Sequence, residues 1–266
     1  MALTSDFPPA AYPLVVAHRG ASAELPENTL DAFRGALEAG ADVVETDVRL
    51  TSDGVPVVMH DAHVSRVTDG QGLIHEMTLA EVKRLDASGG RGPRAEVPTL
   101  AEVLELVKGR AGINLEIKNI PGEPGFDSPR EATVEAAIAD LGRVGFTGPV
   151  LVSSFNWLTI ERSKEVAPDL ATGFLTVAGV APSASLVYAR GAGHQYVLPQ
   201  VAALLDAGPD FPGEAHAAGV RVGTWTVDDP EVARRLFTWG VDAVATNDPV
   251  PILSVRTQLG ARTGSR

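Results

Sequence analysis

With 266 residues, 44% of them hydrophobic and 21% charged, the chain has the composition of an ordinary globular protein and the length of one large α/β domain or two small ones. A formal net charge of −12 argues against nucleic acid and against stable association with anionic membranes, and no apolar run approaches the ~18 residues of a bilayer span. There is no cysteine, which removes disulfides and thiolate chemistry, and residues 1–13 lack the features of a signal peptide, so the expected location is cytoplasmic.

After a proline-rich lead-in, residues 14–17 (LVVA) read as a short buried strand running into His18-Arg19-Gly20. Pro26-Glu27-Asn28-Thr29 opens a helix to about Ala39, with Asn28 or Thr29 as N-cap and Gly40 as stop. Residues 41–61 read as strand, turn and strand, the turn being Ser52-Asp53-Gly54. From 62 to 97 the pattern weakens to a short helix near 79–85 among glycine-rich pieces, an excursion from the main architecture.

Thr99 then caps a helix to Val107, and 113–118 is the next strand. Helices are expected at 129–141, 157–166 and 230–239, with one ending at 214–218. Strands are expected at 150–154, 171–175, 196–198, 220–227 and 242–246, with 180–211 poorly patterned. The tail from Ser254 carries Arg256, Arg262 and Arg266 and reads as frayed or as a partial closing helix.

About eight short strands separated by helices, over roughly the ~250 residues typical of the architecture, predict a single (β/α)8 barrel domain over 1–266. An open doubly wound sheet is the alternative. The polar residues favour the barrel: His18, Glu45, His60, Glu116 and Trp225 fall at or near the C-terminal ends of different strands. A closed barrel gathers such ends on one rim.

Glu45 and Asp47 are two apart on a strand and so project side by side, while Val44, Thr46 and Val48 face the opposite side, under a helix. Glu116 adds a third carboxylate from another strand, with Lys118 on its face and Leu115 and Ile117 on the other. Three carboxylates without cysteine suit Mg²⁺ or Ca²⁺ better than Zn²⁺. The competing reading is a salt-bridge network with Lys118, Arg19 and Arg49.

His18 and His60, each at a strand end, could divide the giving and taking of a proton. His63, His75, His194 and His216 read as packed or capping residues. Arg19 and Lys118 supply positive charge for a phosphate, unless Arg19 only pairs with Glu27 or Asp248. Trp225, on a strand face with Gly223 and Val227, is either a wall for an alcohol or choline-like group or plain barrel core.

The ordered set His18-Arg19-Gly20, Pro26-Glu27-Asn28-Thr29, Glu45-Thr46-Asp47-Val48, Asp53-Gly54 leading to His60-Asp61, Leu115-Glu116-Ile117-Lys118, Trp225-Thr226-Val227 and Thr246-Asn247-Asp248-Pro249 resembles the glycerophosphodiester phosphodiesterases, from about Leu14 to Pro249. The resemblance implies a TIM barrel with a small insertion after the third strand, here 62–97. It also implies a divalent cation (Mg²⁺ or Ca²⁺) held by Glu45, Asp47 and Glu116, with His18 and His60 as the acid–base pair and Arg19 and Lys118 on the phosphate. The implied reaction is hydrolysis of a small glycerophosphodiester to sn-glycerol 3-phosphate and an alcohol. Either the glycerol 2-hydroxyl attacks first, giving a cyclic phosphate, or water attacks directly. Activity on lysophospholipids and a non-catalytic binding barrel are the alternatives, and the histidine pair disfavours the second because a binder needs no proton shuttle. The sequence sets no oligomeric state.

Overall fold

In the computed structural model, which describes residues 13–263, the staves of the sheet are short apolar runs buried on both faces. The chain runs β1 (Leu14–His18), α1 (Leu30–Ala39), β2 (Val43–Leu50), β3 (Pro56–Val58), α2 (Leu79–Val82), α3 (Leu100–Val107), β4 (Gly112–Ile117), α4 (Ala132–Val144), β5 (Val150–Ser154) and α5 (Trp157–Val166). It continues through β6 (Ala171–Thr176), α6 (Pro182–Ala192), β7 (Tyr196–Pro199), α7 (Val201–Ala207), α8 (Phe211–Ala217), β8 (Arg221–Thr224), α9 (Pro230–Trp239), β9 (Ala243–Thr246) and α10 (Pro249–Thr263). All strands but β3 are parallel, and β1 pairs with both β2 and β9, so the sheet closes. The fold is a (β/α)8 barrel.

Alternation along each stave sorts its side chains into two layers. Outward residues such as Val44, Val48, Ile113, Leu115 and Ile117 meet Phe33, Leu100, Leu104 and Leu141 of α1, α3 and α4. Across the barrel, Val15, Val197, Val222 and Val244 meet Leu236, Phe237 and Ile252 of α9 and α10. Inward residues form a floor of Leu14, Val16, Val43 and Ala243, and above it lie Leu175, Tyr196 and Leu198 with Leu151, Phe155 and Trp225.

The second strand of the 41–61 pair is not a stave. β3 runs antiparallel to the end of β2, with Val48 opposite Val58 and Leu50 opposite Pro56. Only five residues separate the two, and a parallel crossover needs a dozen or more. His60 therefore lies in a loop beyond β3 and not at the end of a barrel strand, as its apolar lead-in had suggested. The following segment holds two 3₁₀ turns and α2, which spans only four residues against the seven expected. It packs around a small cluster that includes Met59, Val64, Ile74, Val82 and Val97.

Other expected bounds shift for local reasons. α4 begins at Ala132 because Glu131 before it sits in the left-handed region (φ 53), and it runs on to Val144, where Gly145 closes it. β8 stops at Thr224, so Trp225 joins the interior while Val227 joins the outer layer; the two do not share a face. The poorly patterned stretch holds α6, β7 and α7. The tail belongs to α10, where Arg256 pairs with Asp42 and donates to the carbonyl of Pro13 at 3.3 Å. The lead-in up to residue 12, and Arg266, lie outside the described residues. Among the described residues no helix is long and apolar enough to cross a membrane.

One buried group on the outer layer makes stability depend on pH. His194 is 3% exposed, with Nδ1 2.8 Å from Thr172 Oγ1 and Nε2 3.2 Å from Tyr188 Oη. Burial, helped by the Lys164 charge, lowers its pKa to about 4. The unfolded chain therefore takes up this proton more readily, and stability is lost as pH falls from the ordinary histidine value to about 4, with no penalty above it. The loss amounts to about 3 kcal/mol. Denaturant unfolding at pH 7 and pH 4 should show that extra loss in the wild type relative to His194→Gln. Parallel losses would contradict it.

Candidate active site

The site is built on the inward faces of three neighbouring staves. β2 delivers Glu45 and Asp47, and β4 delivers Glu116 directly beside Asp47 in register. β1 ends at His18, which lies beside Glu45. Carboxylate oxygens of Glu45, Asp47 and Glu116 lie within 4.8 Å of one another, and all three residues are buried.

Arg19 and Gly20 turn the chain sharply after β1. Arg19 is left-handed (φ 59), and a Cβ on Gly20 would come 2.6 Å from the carbonyl carbon of Ala32 on α1, so only glycine fits. The turn aims the Arg19 backbone N–H at Glu45 Oε2 (2.8 Å) and places Arg19 Nε 3.1 Å from Asp47 Oδ2. Arg19 Nη1 also meets Glu27 Oε1 at 3.0 Å, so the expected pairing with Glu27 is present alongside the site contact. Lys118 Nζ pairs with the Glu116 carboxylate and lies 3.0 Å from Asp47 Oδ1.

These charges divide the acids. Burial works to raise the Asp47 carboxyl, but Lys118 and Arg19 overcome it and hold that carboxyl far below its ordinary value. Glu45 moves the other way: burial and the repulsion of Asp47 and Glu116 push it well up. Burial also raises Glu116 in spite of Lys118. Lys118 stays firmly charged because Asp47 and Glu116 outweigh its burial.

The salt-bridge reading thus accounts for Asp47 and Glu116 through Lys118 and Arg19. It leaves Glu45 Oε1 buried without a hydrogen-bond partner. Three hard oxygen donors, one of them orphaned, fit Mg²⁺ or Ca²⁺. Arg49 takes no part in that network: its charge meets Glu123 at 2.7 Å.

Each histidine has its Nδ1 engaged and its Nε2 left for chemistry. His60 Nδ1 lies 2.5 Å from Asp61 Oδ1; a carboxylate only accepts, so Nδ1 carries the hydrogen. Asp61 is held in turn by Arg66, which also reaches Glu27. His18 Nδ1 lies 2.8 Å from Asn247 Oδ1. The Asn247 amide is oriented by Asp228, whose carboxylate accepts from Asn247 Nδ2 and from its backbone N–H, both at 2.7 Å. His18 Nδ1 is therefore also the protonated nitrogen. Burial lowers the pKa of both rings, with Arg19 adding to the effect at His18.

A cavity of about 270 Å³ adjoins these groups, lined by His18, Arg19, Glu45, His60, Glu116 and Lys118 and by the apolar Leu151, Leu175 and Leu198. Trp225 forms part of its wall, edge-on to Phe155 at 5.3 Å, with its Nε1 donating to the carbonyl of Leu198 at 2.9 Å. Phe155 in turn lies 5.8 Å from Lys118 Nζ. All eight residues singled out in the sequence thus meet at one barrel mouth.

A sequence model of the glycerophosphoryl diester phosphodiesterase family matches residues 18–250. The chain belongs to the glycerophosphoryl diester phosphodiesterase family. This is a family of phosphoric diester hydrolases acting on glycerophosphodiesters, and the chain is an enzyme of that class. The glycerophosphodiester phosphodiesterase of Caldanaerobacter subterraneus subsp. tengcongensis is 35% identical over 249 residues, 91% of this chain and 97% of that protein. The glycerophosphodiester phosphodiesterase of Bacillus subtilis is 32% identical over 255 residues, 89% of this chain and 84% of that one. Among solved structures, a phosphodiesterase of Oleispira antarctica in complex with the product sn-glycerol-3-phosphate superposes with a TM-score of 0.82 at 33% identity, covering 93% of this chain and 98% of that chain.

Several residues that hold this cluster in place had no distinct signal of their own. Asn28 and Thr29 both read as candidate helix caps; Thr29 is the cap, and the Asn28 side chain instead donates to Asp47 Oδ2 at 2.7 Å. Asp61 and Asn247 stand inside the matching motifs, and Asp228 one residue past another, without a role that spacing reveals. Asn114, bound to Ser153 Oγ at 2.9 Å, and Phe155 are cavity residues that alternation alone would place inside the barrel. The remaining histidines stay out of the site; His216, for one, meets Asp242 at 2.7 Å.

Proposed function

We propose that the enzyme hydrolyses small glycerophosphodiesters to sn-glycerol 3-phosphate and a free alcohol, with a divalent cation on Glu45, Asp47 and Glu116 and with His18 and His60 as base and acid. The observation that supports this most is the convergence of three buried carboxylates, two cations and two oriented histidines on one mouth. A divalent cation bound there supplies polarisation of a phosphoryl oxygen and takes up charge.

Arg19 and Lys118 keep positive charge beside the acids, which lets an anionic phosphodiester approach a chain of net charge −12. The two histidines have different partners, and this supports separate roles. Burial and the Arg19 charge favour the neutral His18 ring, and its Nδ1–H on the Asn247 amide oxygen leaves the lone pair on Nε2, ready to take the proton of the attacking hydroxyl. His60 faces the Asp61 carboxylate, which works against burial and stabilises the imidazolium when it forms, so its Nε2 can give a proton to the leaving alcohol. Trp225 and Phe155 wall the space beside the phosphate. Both routes, attack by the glycerol 2-hydroxyl and attack by water, use this division of labour.

The test is a substrate panel with product identification. Glycerophosphocholine and glycerophosphoethanolamine should both release glycerol 3-phosphate, with turnover well above that on lysophosphatidylcholine. A preference for the lysophospholipid would replace this reading with the lipid-directed alternative.

A further inference from the structure

On β2 Arg49 follows Val43, Glu45 and Asp47 at the same alternation, and it is 6% exposed. Its guanidinium donates to two backbone carbonyls: Nε to that of His60 at 2.8 Å and Nη1 to that of Lys118 at 3.3 Å. Nη2 meets Glu123, whose side chain is 41% exposed, at 2.7 Å. Arginine alone offers a fork wide enough to hold three acceptors in this way.

The two carbonyls do not depend on it equally. Lys118 directly follows β4; its own N–H bonds the carbonyl of Val48 at 3.0 Å, and its ammonium is held by Asp47 and Glu116. His60 stands on no stave. Its stretch is tied to β2 by Met59 N–H on the carbonyl of Asp47 at 3.0 Å, and then by Arg49. His18, in contrast, sits inside the β1–β2 ladder.

We propose that Arg49 is a positioning residue for the reaction: it fixes the His60 backbone so that the imidazole reaches the leaving alcohol, and Glu123 fixes Arg49. The proposal rests on the reading of His60 as the acid. A misplacement on the order of 1 Å costs about 10²-fold in rate, so the expected effect is large. It is also selective. Choline is a poor leaving group that needs a proton, whereas p-nitrophenol leaves without one.

The experiment compares kcat and KM on glycerophosphocholine and on the p-nitrophenyl ester of glycerol 3-phosphate, with thermal unfolding alongside. Arg49→Met should lose roughly 10–100-fold in kcat on the choline ester, with KM within about twofold, and lose less than about threefold on the aryl ester. Arg49→Lys, which reaches one carbonyl, should fall between it and the wild type, and Glu123→Gln should show a smaller loss of the same selectivity. If Arg49→Met does not fold, the other two variants decide the matter. Equal losses on both esters, or wild-type turnover in Arg49→Lys and Glu123→Gln, would overturn the proposal. His60→Ala is the control. A loss equal on both esters there sinks the acid assignment and this proposal together. A selective His60→Ala loss beside unselective Arg49 variants sinks this proposal alone.

Discussion

Replacing His60 by alanine should lower kcat on glycerophosphocholine by about 10²–10⁴-fold and leave the p-nitrophenyl ester far less affected, because the lost group serves only a leaving alcohol that needs a proton. His18→Ala should fall by a similar factor on both esters, since the attacking hydroxyl must lose its proton whichever group departs. The difference follows from what each Nδ1 meets. The Asp61 carboxylate at 2.5 Å favours a charged His60, while Asn247, turned by Asp228, presents only a neutral oxygen to His18. Burial lowers both rings, which keeps His18 a free base near neutral pH and makes His60 a readier donor once charged. Steady-state kinetics of the two variants on the two esters measures this directly. A leaving-group dependence in His18→Ala and not in His60→Ala would reverse the roles.

The barrel was legible because period-two alternation survives wherever a strand is long enough to show it. Glu45-Thr46-Asp47-Val48 and Leu115-Glu116-Ile117-Lys118 each display both faces, and their inward residues meet as the alternation requires. The pattern misled where a loop, not alternation, decides the geometry. The run before His60 is apolar enough for a stave, but its short link to β2 permits only a hairpin. Trp225 sits one residue past the end of β8, where alternation no longer governs which way Val227 points. The residues that orient the site were the least legible. Asn28 reaches Asp47 across 19 residues, Asp228 reaches Asn247 across 19, Arg49 reaches the carbonyls of His60 and Lys118 across 11 and 69, and Asp61 meets the ring of its own neighbour His60, contacts that leave no periodic trace.

Loss of the divalent cation should abolish turnover. With all three carboxylates ionised, as cation ligands are, Arg19 and Lys118 leave one negative charge unopposed in this buried space, and without a cation a phosphodiester anion would meet that surplus. At low effective dielectric that repulsion is severe at contact distances. The state of the acids points the same way: Lys118 and Arg19 keep Asp47 ionised, while Glu45 is pushed well up and its Oε1 stays unpartnered. A divalent ion held by Glu45, Asp47 and Glu116 would reverse the local charge and would contribute several kcal/mol to the transition state, about 10³-fold in rate or more. The direct test is to strip the enzyme with EDTA, dialyse it, and quantify glycerol 3-phosphate released from glycerophosphocholine before and after Mg²⁺ or Ca²⁺ is returned. Release that vanishes on stripping and recovers with the cation is the predicted result; equal release from stripped and replete enzyme would contradict the account.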